Sequence, residues 1–339
     1  MPLLVRSPLA PLVSRNEIHQ LLGVPWGNLN EIARRAARSY TPFDTHPSMG
    51  PRSGKWRHID NPSPRLKALQ RRILRRILAT APLPENMFGA MPGRDVLGHA
   101  RCHVGQRVIV TLDLRDCFPR THDTAVFSTL RKYFECSSEI AAVLTKLTTY
   151  HHRLPQGAPT SSFLAQLTLV EMLAQMDAVA RDRSLVLSSY IDDIAWSGPG
   201  AQLAIGEMVE IIASHGHRIR CSKKHVMKSN EEKRITGLIV KRDHVTVPRS
   251  YVDSVEDRIL VLSRRQSLTV HERASVDGQI KHVQRFDEEA GQWLADLARD
   301  SLPSDVSVGP TLHTFERRPC LHARRHRHDP TAAPTGTSP

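Results

Sequence analysis

Three aspartates are the residues of this sequence whose types and spacing most directly suggest chemistry. Asp192 and Asp193 follow Tyr190 and Ile191 between two short apolar runs, which predicts a tight hairpin with both acids at its tip. Adjacent carboxylates repel each other and gain nothing from burial unless a cation binds them. A solvated hairpin tip is the commoner role of an Asp-Asp pair, so the interpretation as a metal site requires a third acid.

Asp113 is that third acid, because it ends the strand-like run 107–112. Carboxylates are ligands that Mg²⁺ prefers, with substrate phosphates and water completing its coordination. Two such ions can stabilise the attacking and leaving oxygens of an in-line phosphoryl displacement. The sequence therefore predicts a carboxylate site for divalent metal that serves phosphoryl transfer.

The composition predicts a soluble protein with a polyanionic partner. The net charge of +13 over 339 residues indicates nucleic acid, although a membrane surface would also attract it. The five cysteines contain no CxxC pair, which suggests neither zinc nor disulfides and fits a reducing compartment. The apolar N-terminus is interrupted by prolines, and no apolar run approaches the length of a membrane span. We therefore expect a cytoplasmic protein that binds no membrane.

Several elements would position these acids or bind a polyanion. Helices are expected within residues 15–40, where Asn16 could cap the first, and from Ser63-Pro64 onward, where Ser caps and Pro opens the helix. The helix that begins at Ser63-Pro64 carries four arginines away from its apolar face, which suggests a track for nucleic-acid phosphates: Arg71, Arg72, Arg75 and Arg76. Pro155 and Pro159 bracket Gln156 and Gly157 in a rigid turn before a long apolar helix.

These motifs, in this order, resemble those of bacterial reverse transcriptases of the retron type. The 155–161 string nearly matches the family's Pro-Gln-Gly-x-Pro-x-Ser motif, and 190–193 matches its Tyr-x-Asp-Asp motif. Residues 234–240 resemble the retron Val-Thr-Gly signature. Ala100 to His103 match the Asn-Ala-x-x-His signature, with His99 in place of the Asn. The resemblance covers roughly residues 15–300.

The resemblance implies an α+β right-hand polymerase with fingers, palm and thumb, whose antiparallel palm sheet is backed by helices. It divides the chain into an N-terminal helical segment (1–50), fingers (51–103), palm (104–250, with part of the fingers interleaved at about 122–155) and a helical thumb (251–302). The remaining residues, 303–339, are rich in Arg, His, Pro and Thr, which predicts a basic disordered tail.

The resemblance also implies roles for individual residues. Asp113, Asp192 and Asp193 would be catalytic and would bind two Mg²⁺ ions, which Mn²⁺ could replace, with Leu114 adding its carbonyl. Phe118 would exclude a ribose 2′-OH. Either Lys223 or Lys224 would lie near the leaving pyrophosphate, and Lys224 fits the family's spacing slightly better. The residues that would bind the dNTP are Lys55, Arg57, Asp116, Cys117, Phe118, Gln156, Gly157 and Lys224. Those that would bind RNA are Arg71, Arg72, Arg75, Arg76, His103, Thr236 and Gly237.

The implied function is RNA-directed DNA synthesis on a structured non-coding RNA that acts as template and primer. Anti-phage defence, with an effector or toxin protein from a neighbouring gene, would be its context. Two alternatives share the palm motifs: a non-retron defence-associated reverse transcriptase and a group II intron-like one. A third, of another class, is a non-catalytic RNA-binding protein on a polymerase scaffold. The intact acids argue against this third alternative, since an inactive palm has no reason to keep three mutually repelling carboxylates.

Overall fold

The computed structural model describes residues 6–47, 56–307 and 315–319, which form twelve α-helices and twelve β-strands. The strands make four sheets, and all pairings are antiparallel except that of a small two-stranded sheet near the C-terminus. Helices and antiparallel sheets thus occur together, and the predicted α+β class is confirmed.

The N-terminal part combines four helices with one hairpin. Its elements are α1 (Arg15–Leu22), α2 (Trp26–Arg35), β1 (Tyr40–Pro47), β2 (Arg57–Pro62), α3 (Pro64–Arg76) and α4 (Val96–Arg101). Ser63 caps α3 as predicted, its side chain accepting a hydrogen bond from the Leu66 N–H. Ser14, and not Asn16, caps α1, because Asn16 already lies inside the helix.

The central sheet has the strand order β4-β5-β3-β6 and carries the three aspartates at one end. Its strands are β3 (Ile109–Asp113), β4 (Val186–Tyr190), β5 (Asp193–Ser197) and β6 (His225–Met227). Successive side chains of a strand point to opposite faces, so Val110 and Leu112 join the helical core while Asp113 lies on the other face. The sheet therefore packs one face on the helical core, while the other face packs on a second core through Ile109 and Ala195 and carries Asp113 at its end.

Five further helices pack around this sheet and, together with α1–α3, build the larger hydrophobic core. They are α5 (Cys117–Arg120), α6 (Asp123–Tyr133), α7 (Ser138–Thr148), α8 (Ser161–Asp182) and α9 (Ile205–Ser214). Contrary to the sequence-based expectation, α8 is long and apolar enough to span a membrane. However, 61% of its most apolar window is buried inside the protein, as expected of a core helix.

The C-terminal part adds a second, smaller core. It contains β7 (Lys233–Ile235), β8 (Leu238–Val240), β9 (Val245–Thr246), α10 (Arg249–Ser263), β10 (Leu268–Thr269), α11 (Val270–Gln284), α12 (Glu288–Ser301), β11 (Val306–Ser307) and β12 (Phe315–Pro319). The predicted disorder of the tail is wrong for its described segments, because β11 pairs with β10 and β12 with β1. Residues 308–314 and 320–339 lie outside the described part.

Two glycines of α11 and α12 provide a matched test of this packing. A Cβ on Gly291 would lie 2.3 Å from the Gln284 Cα, whereas one on Gly278 would meet no atom within 4 Å. We expect Gly291→Ala to destabilise the protein by about 1–3 kcal/mol because the helices must separate. Gly278→Ala should stabilise it by roughly 0.5–1 kcal/mol through helix propensity. Thermal unfolding checks both, and equal shifts would contradict the close approach.

Candidate active site

The three aspartates meet where the central strands end. Asp113 is the last residue of β3 and stands directly opposite Asp193, the first residue of β5. Asp192 precedes it in the turn, and its carbonyl accepts a hydrogen bond of 2.9 Å from the Leu114 N–H. The predicted convergence of residues 80 positions apart is therefore what the sheet register produces.

The turn that presents Asp192 is very tight. Tyr190 and Asp193 pair across β4 and β5, so only Ile191 and Asp192 connect the strands. Ile191 has φ +59°, a left-handed conformation that is strained for a β-branched residue. Such strain is kept where the surroundings over-determine the backbone, and here both flanking strands are fully paired. The turn therefore holds the Asp192 carboxylate rigidly beside Asp113.

The carboxylates interact with two cations from the segment after α9. Lys223 Nζ donates to Asp113 Oδ2, and Arg220 Nε lies 3.3 Å from Asp113 Oδ1. Burial raises the pKa of Asp192, as does the nearby Asp113, while Lys223 and Arg220 lower it. Among the described residues, no three His, Cys, Asp or Glu side chains are grouped as a preformed metal site. Even so, Asp113 Oδ1 is buried and accepts no hydrogen bond from the described residues, so a hard cation could bind it in place of its ion pair with Arg220.

Of the two neighbouring lysines, Lys223 is the one that reaches the carboxylates. Lys223 contacts Asp113, whereas Lys224 is exposed and is not paired with Asp113 or Asp192 in the described part. The difference arises from a short 3₁₀ turn at Cys221–Lys223, which directs consecutive side chains in different directions. Which lysine lies beside a leaving pyrophosphate stays a prediction, and the contact with Asp113 favours Lys223 over Lys224.

The predicted nucleotide-binding turn is bound to β2 by Asp60, a residue that the sequence did not single out. The Asp60 N–H donates to the Gln156 carbonyl at 2.7 Å, and Asp60 Oδ2 accepts from the Gln156 N–H at 3.2 Å. Gly157 has φ +129°, and a Cβ there would lie 3.0 Å from the Asp60 carbonyl oxygen. His58 Nε2 lies 3.0 Å from Asp60 Oδ1 and steadies that carboxylate. Gln156 and Gly157 are thus held by contacts that only the folded chain provides.

The other predicted dNTP-binding residues differ in their exposure and in their contacts. Arg57 is exposed at the start of β2, and Lys55 lies outside the described residues. Asp116 adopts φ +54° before α5 and is paired with Arg115 and Arg220. Burial first, then Asp192 and Asp113, raise the pKa of the Cys117 thiol to about 12, so it stays protonated. Phe118 is half-buried against the larger core, and its predicted contact with a ribose stays a prediction.

The β7–β8 turn and α4 are connected through His99. Thr236 and Gly237 form the two-residue turn, with φ +48° and +85° respectively. His99 Nδ1 lies 2.7 Å from Thr236 Oγ1, and the His99 ring stacks on that of Tyr190 at 6.1 Å between centroids. His99 therefore links the Thr236–Gly237 turn to the strand that precedes Asp192. This link was not predicted from the sequence, where His99 stands in place of the Asn of the Asn-Ala-x-x-His signature.

His103 is fully buried against the acid-bearing face of the central sheet. Its two ring nitrogens each lie 2.7 Å from a serine hydroxyl, of Ser197 on β5 and Ser188 on β4. Its exposed fraction is 0%, which leaves no atom for the predicted direct RNA contact. Its role in this structure is to connect two strands of the central sheet.

The four arginines of α3 divide into two pairs. Arg72 and Arg76 donate to the carbonyls of Leu22 and Leu21 and so satisfy the C-terminal end of α1. Arg71 and Arg75 are exposed. The predicted phosphate track therefore rests on Arg71 and Arg75, whereas Arg72 and Arg76 have a structural task.

A small cavity of about 120 Å³ lies next to the aspartates. Its lining includes His99, Asp113, Asp193, Lys223 and Thr236. A larger cleft of about 980 Å³ contains none of the three aspartates and is lined from Gly105–Arg107, the β7–β9 sheet and the start of α10. The smaller cavity is the better candidate for chemistry, because it joins two of the three aspartates to a lysine and a histidine.

The two buried histidines predict a pH dependence of stability. Burial lowers the pKa of His99 to about 4 and, together with His99, that of His103 to about 3. Because both values lie below the usual 6.5, the unfolded chain binds more protons once the pH falls below 6.5. Their stabilisation is complete above pH 6.5 and is lost toward pH 4, by roughly 3 kcal/mol for His99. Thermal unfolding of wild type and His99→Asn between pH 7 and 4 checks this: the variant should show the flatter profile.

Comparison with known proteins agrees with this site. The family model described as reverse transcriptase (RNA-dependent DNA polymerase) matches residues 46–240, more than half of the chain. The retron Mx65 reverse transcriptase of Myxococcus xanthus is 28% identical over 86% of this chain and 73% of its own length. The retron Ec86 reverse transcriptase of Escherichia coli is 30% identical over 60% of this chain and 65% of its own length. A foamy viral protease-reverse transcriptase in complex with double-stranded DNA is similar at 19% identity, covering 78% of this chain and 40% of that one, with a TM-score of 0.44.

The matched region runs from β2 through the three aspartates to the β7–β8 turn, so it contains the residues for which catalytic roles are predicted. Several retron enzymes match at 23–30% identity, so the predicted resemblance to retron-type reverse transcriptases is confirmed. The predicted enzyme class, RNA-directed DNA polymerase, is confirmed with it. The chain belongs to the reverse transcriptase (RNA-dependent DNA polymerase) family.

Proposed function

We propose that this chain makes DNA on a structured RNA by two-metal nucleotidyl transfer, as a retron-type reverse transcriptase. The observation that carries the proposal is the convergence of Asp113, Asp192 and Asp193 at one end of the central sheet, with Lys223 on Asp113. A non-catalytic scaffold would have no use for such an arrangement, because these carboxylates repel one another and Asp192 is largely buried.

Asp113 and Asp192 would hold the divalent ions, with Asp193 and the Leu114 carbonyl beside them. The donor set fits, since carboxylate and carbonyl oxygens suit Mg²⁺, and Asp113 Oδ1 accepts no hydrogen bond from the described residues, although a metal ion would have to replace its ion pair with Arg220. When bound, the ions would neutralise charge on the phosphates and orient the attacking and leaving oxygens. Mn²⁺ could replace Mg²⁺ on the same ligands.

The chain's own residues would supply the remaining steps. The Asp60-held turn would support the nucleotide through Gln156 and Gly157, with Arg57 and Lys55 on its phosphates. Lys223 Nζ would give a proton to the leaving pyrophosphate. Phe118 would press against the sugar and disfavour a 2′-OH. The Thr236–Gly237 turn would support the end of the primer, which is a DNA 3′-OH or an RNA 2′-OH.

The proposed substrates and setting follow from the resemblance and the charge. The template and primer would be a structured non-coding RNA, extended with dNTPs in the cytoplasm, and the product would serve anti-phage defence with an effector protein. The exposed Arg71 and Arg75 and the net charge of +13 support a nucleic-acid partner. The runner-up is a reverse transcriptase outside the retrons, which the replacement of the usual Asn by His99 favours.

The test uses the protein expressed with its native flanking DNA. Nucleic acid that copurifies is extracted, treated with RNase or DNase, and compared between wild type and Asp192→Asn/Asp193→Asn. We expect a discrete DNase-sensitive product attached to RNA, absent from the variant. DNA made only on an added primer and template would keep the polymerase and remove the retron assignment. RNA bound equally by both proteins, with no DNA under any condition, would overturn the proposed function.

A further inference from the structure

Arg220 connects two carboxylates of the active site and has no assigned role. Its Nε lies 3.3 Å from Asp113 Oδ1, and its Nη2 lies 3.3 Å from Asp116 Oδ1. The guanidinium is planar and presents its donors as a fork, which matches two neighbouring oxygens of carboxylates or of phosphates. The side chain is 42% exposed, so a ligand that enters the site can reach it.

The backbone keeps Arg220 in this place. The Arg220 N–H donates to the Asp113 carbonyl at 2.8 Å, and the Arg115 N–H donates to the Arg218 carbonyl at 2.7 Å. Leu114 and Ile219 pair between these two bonds, so residues 218–220 run antiparallel to residues 113–115. Arg220 is therefore part of the same rigid edge as the catalytic carboxylate, and its side chain can exchange partners while its Cα stays in place.

Arg220 would be attracted both by the carboxylates that it contacts now and by any phosphate that enters the site. Asp113 is bound by both Arg220 and Lys223, and only 5% of its side chain is exposed. A cation that binds Asp113 must displace these side chains, which weakens its binding. A nucleoside triphosphate carries the opposite charge, and its phosphate oxygens offer the displaced guanidinium and ammonium groups new partners.

We propose that Arg220 couples metal binding to nucleotide binding: it pairs with Asp113 and Asp116 in the free enzyme and transfers to the triphosphate when the nucleotide enters. The inference rests on the proposed function, because it concerns the same site. Its consequence is that a divalent ion binds weakly alone and tightly together with a dNTP. By linkage, the dNTP gains the same factor from the ion.

Removal of the guanidinium should therefore change two affinities in opposite directions. In Arg220→Asn, Mn²⁺ alone should bind roughly fivefold more tightly, because one competitor for Asp113 is gone. A dNTP should bind roughly fivefold or more weakly in the presence of Mg²⁺, because its phosphates lose a partner. A merely structural role for Arg220 would weaken both affinities together.

Two measurements test these affinities. Electron paramagnetic resonance of unbound Mn²⁺ gives metal affinity for the free protein, without nucleotide or nucleic acid. Fluorescence titration with dGTP, on an RNA template annealed to a dideoxy-terminated DNA primer, gives nucleotide affinity without turnover. Arg220→Lys keeps the charge without the fork and should lie between wild type and Arg220→Asn. Arg218→Asn removes an exposed charge two residues away and should match wild type, as Arg218 pairs with none of these carboxylates in the described part.

The outcomes distinguish a failure of the Arg220 coupling from a failure of the proposed function. Tighter Mn²⁺ binding with weaker dGTP binding supports the coupling. Unchanged Mn²⁺ affinity, or a fall in both affinities in a variant with wild-type circular dichroism, overturns it and leaves the polymerase assignment intact. A wild-type complex that binds no dGTP at any concentration would instead count against the proposed function. The Mn²⁺ titration is independent of that outcome, because it needs neither nucleotide nor DNA synthesis.

Discussion

Replacement of Asp192 by asparagine is expected to lower RNA-templated DNA synthesis by about 10³-fold or more, equivalent to about 4 kcal/mol of transition-state stabilisation. Asp192 stands beside Asp113 in a rigid two-residue turn, so the amide keeps the shape of the side chain and removes its charge. A neutral oxygen is a poorer ligand for Mg²⁺ than a carboxylate. Primer extension under single-turnover conditions, with saturating Mg²⁺ and dNTP, measures the loss.

The matched control is Asp243→Asn. Asp243 is an exposed aspartate whose side chain is paired with the neighbouring His244, and it should leave synthesis unchanged. Both variants should bind a primer–template duplex as wild type does, because the loss concerns the chemical step. An Asp192→Asn enzyme that keeps more than about a tenth of the wild-type rate would contradict the assignment of Asp192 as a catalytic carboxylate.

The second large effect separates two adjacent lysines. Lys223→Ala should lower the single-turnover rate by about 10²-fold, because a positioned general acid typically contributes at least that factor. Lys224→Ala should remain within about twofold of wild type, since its exposed side chain contacts none of the three aspartates in the described part. The measurement is the rate of single-nucleotide incorporation at saturating dNTP, taken from pH 6 to 9.

Exchange of the lysine for arginine tells a proton donor from a positioning charge. If Lys223 supplies a proton, Lys223→Arg should stay as slow as Lys223→Ala, because a guanidinium does not give up its proton. If Lys223 acts only as a charge, Lys223→Arg should restore the rate while Lys223→Ala does not. A loss confined to Lys224→Ala would contradict the proposed role of Lys223 and support Lys224 in its place.

Local sequence was sufficient to place the three aspartates at strand ends, although the β3–β5 pairing that joins them connects positions 80 apart. An apolar run that ends in Asp113, and two short runs around Asp192, specify strands whose pairing brings the acids together. The cap at Ser63 and the apolar course of α8 are also written in neighbouring residues. In each of these cases, the residues that predict the element lie close together in the sequence.

The contacts that the sequence did not reveal join distant segments. Asp60 holds Gln156 from 96 positions away, and His99 reaches Thr236 across 137. The residue types around Asp60 do not indicate whether its carboxylate is buried against Gln156 or exposed on the surface. The choice between Lys223 and Lys224 depended on one short turn, where a shift of one residue changes which side chain faces Asp113.

The division of the protein into two hydrophobic cores has a consequence for how it loses activity. Val110, Leu112 and Ile194 belong to the larger core, whereas Ile109 and Ala195, on alternate positions of the same strands, belong to the core shared with α10–α12. Each core can act as a cooperative unit of local unfolding. Opening of the smaller unit would free the β7–β8 turn and expose the acid-bearing face while most helices persist. Inactivation should then precede the loss of helical circular dichroism as urea rises, with amide exchange fastest in α10–α12.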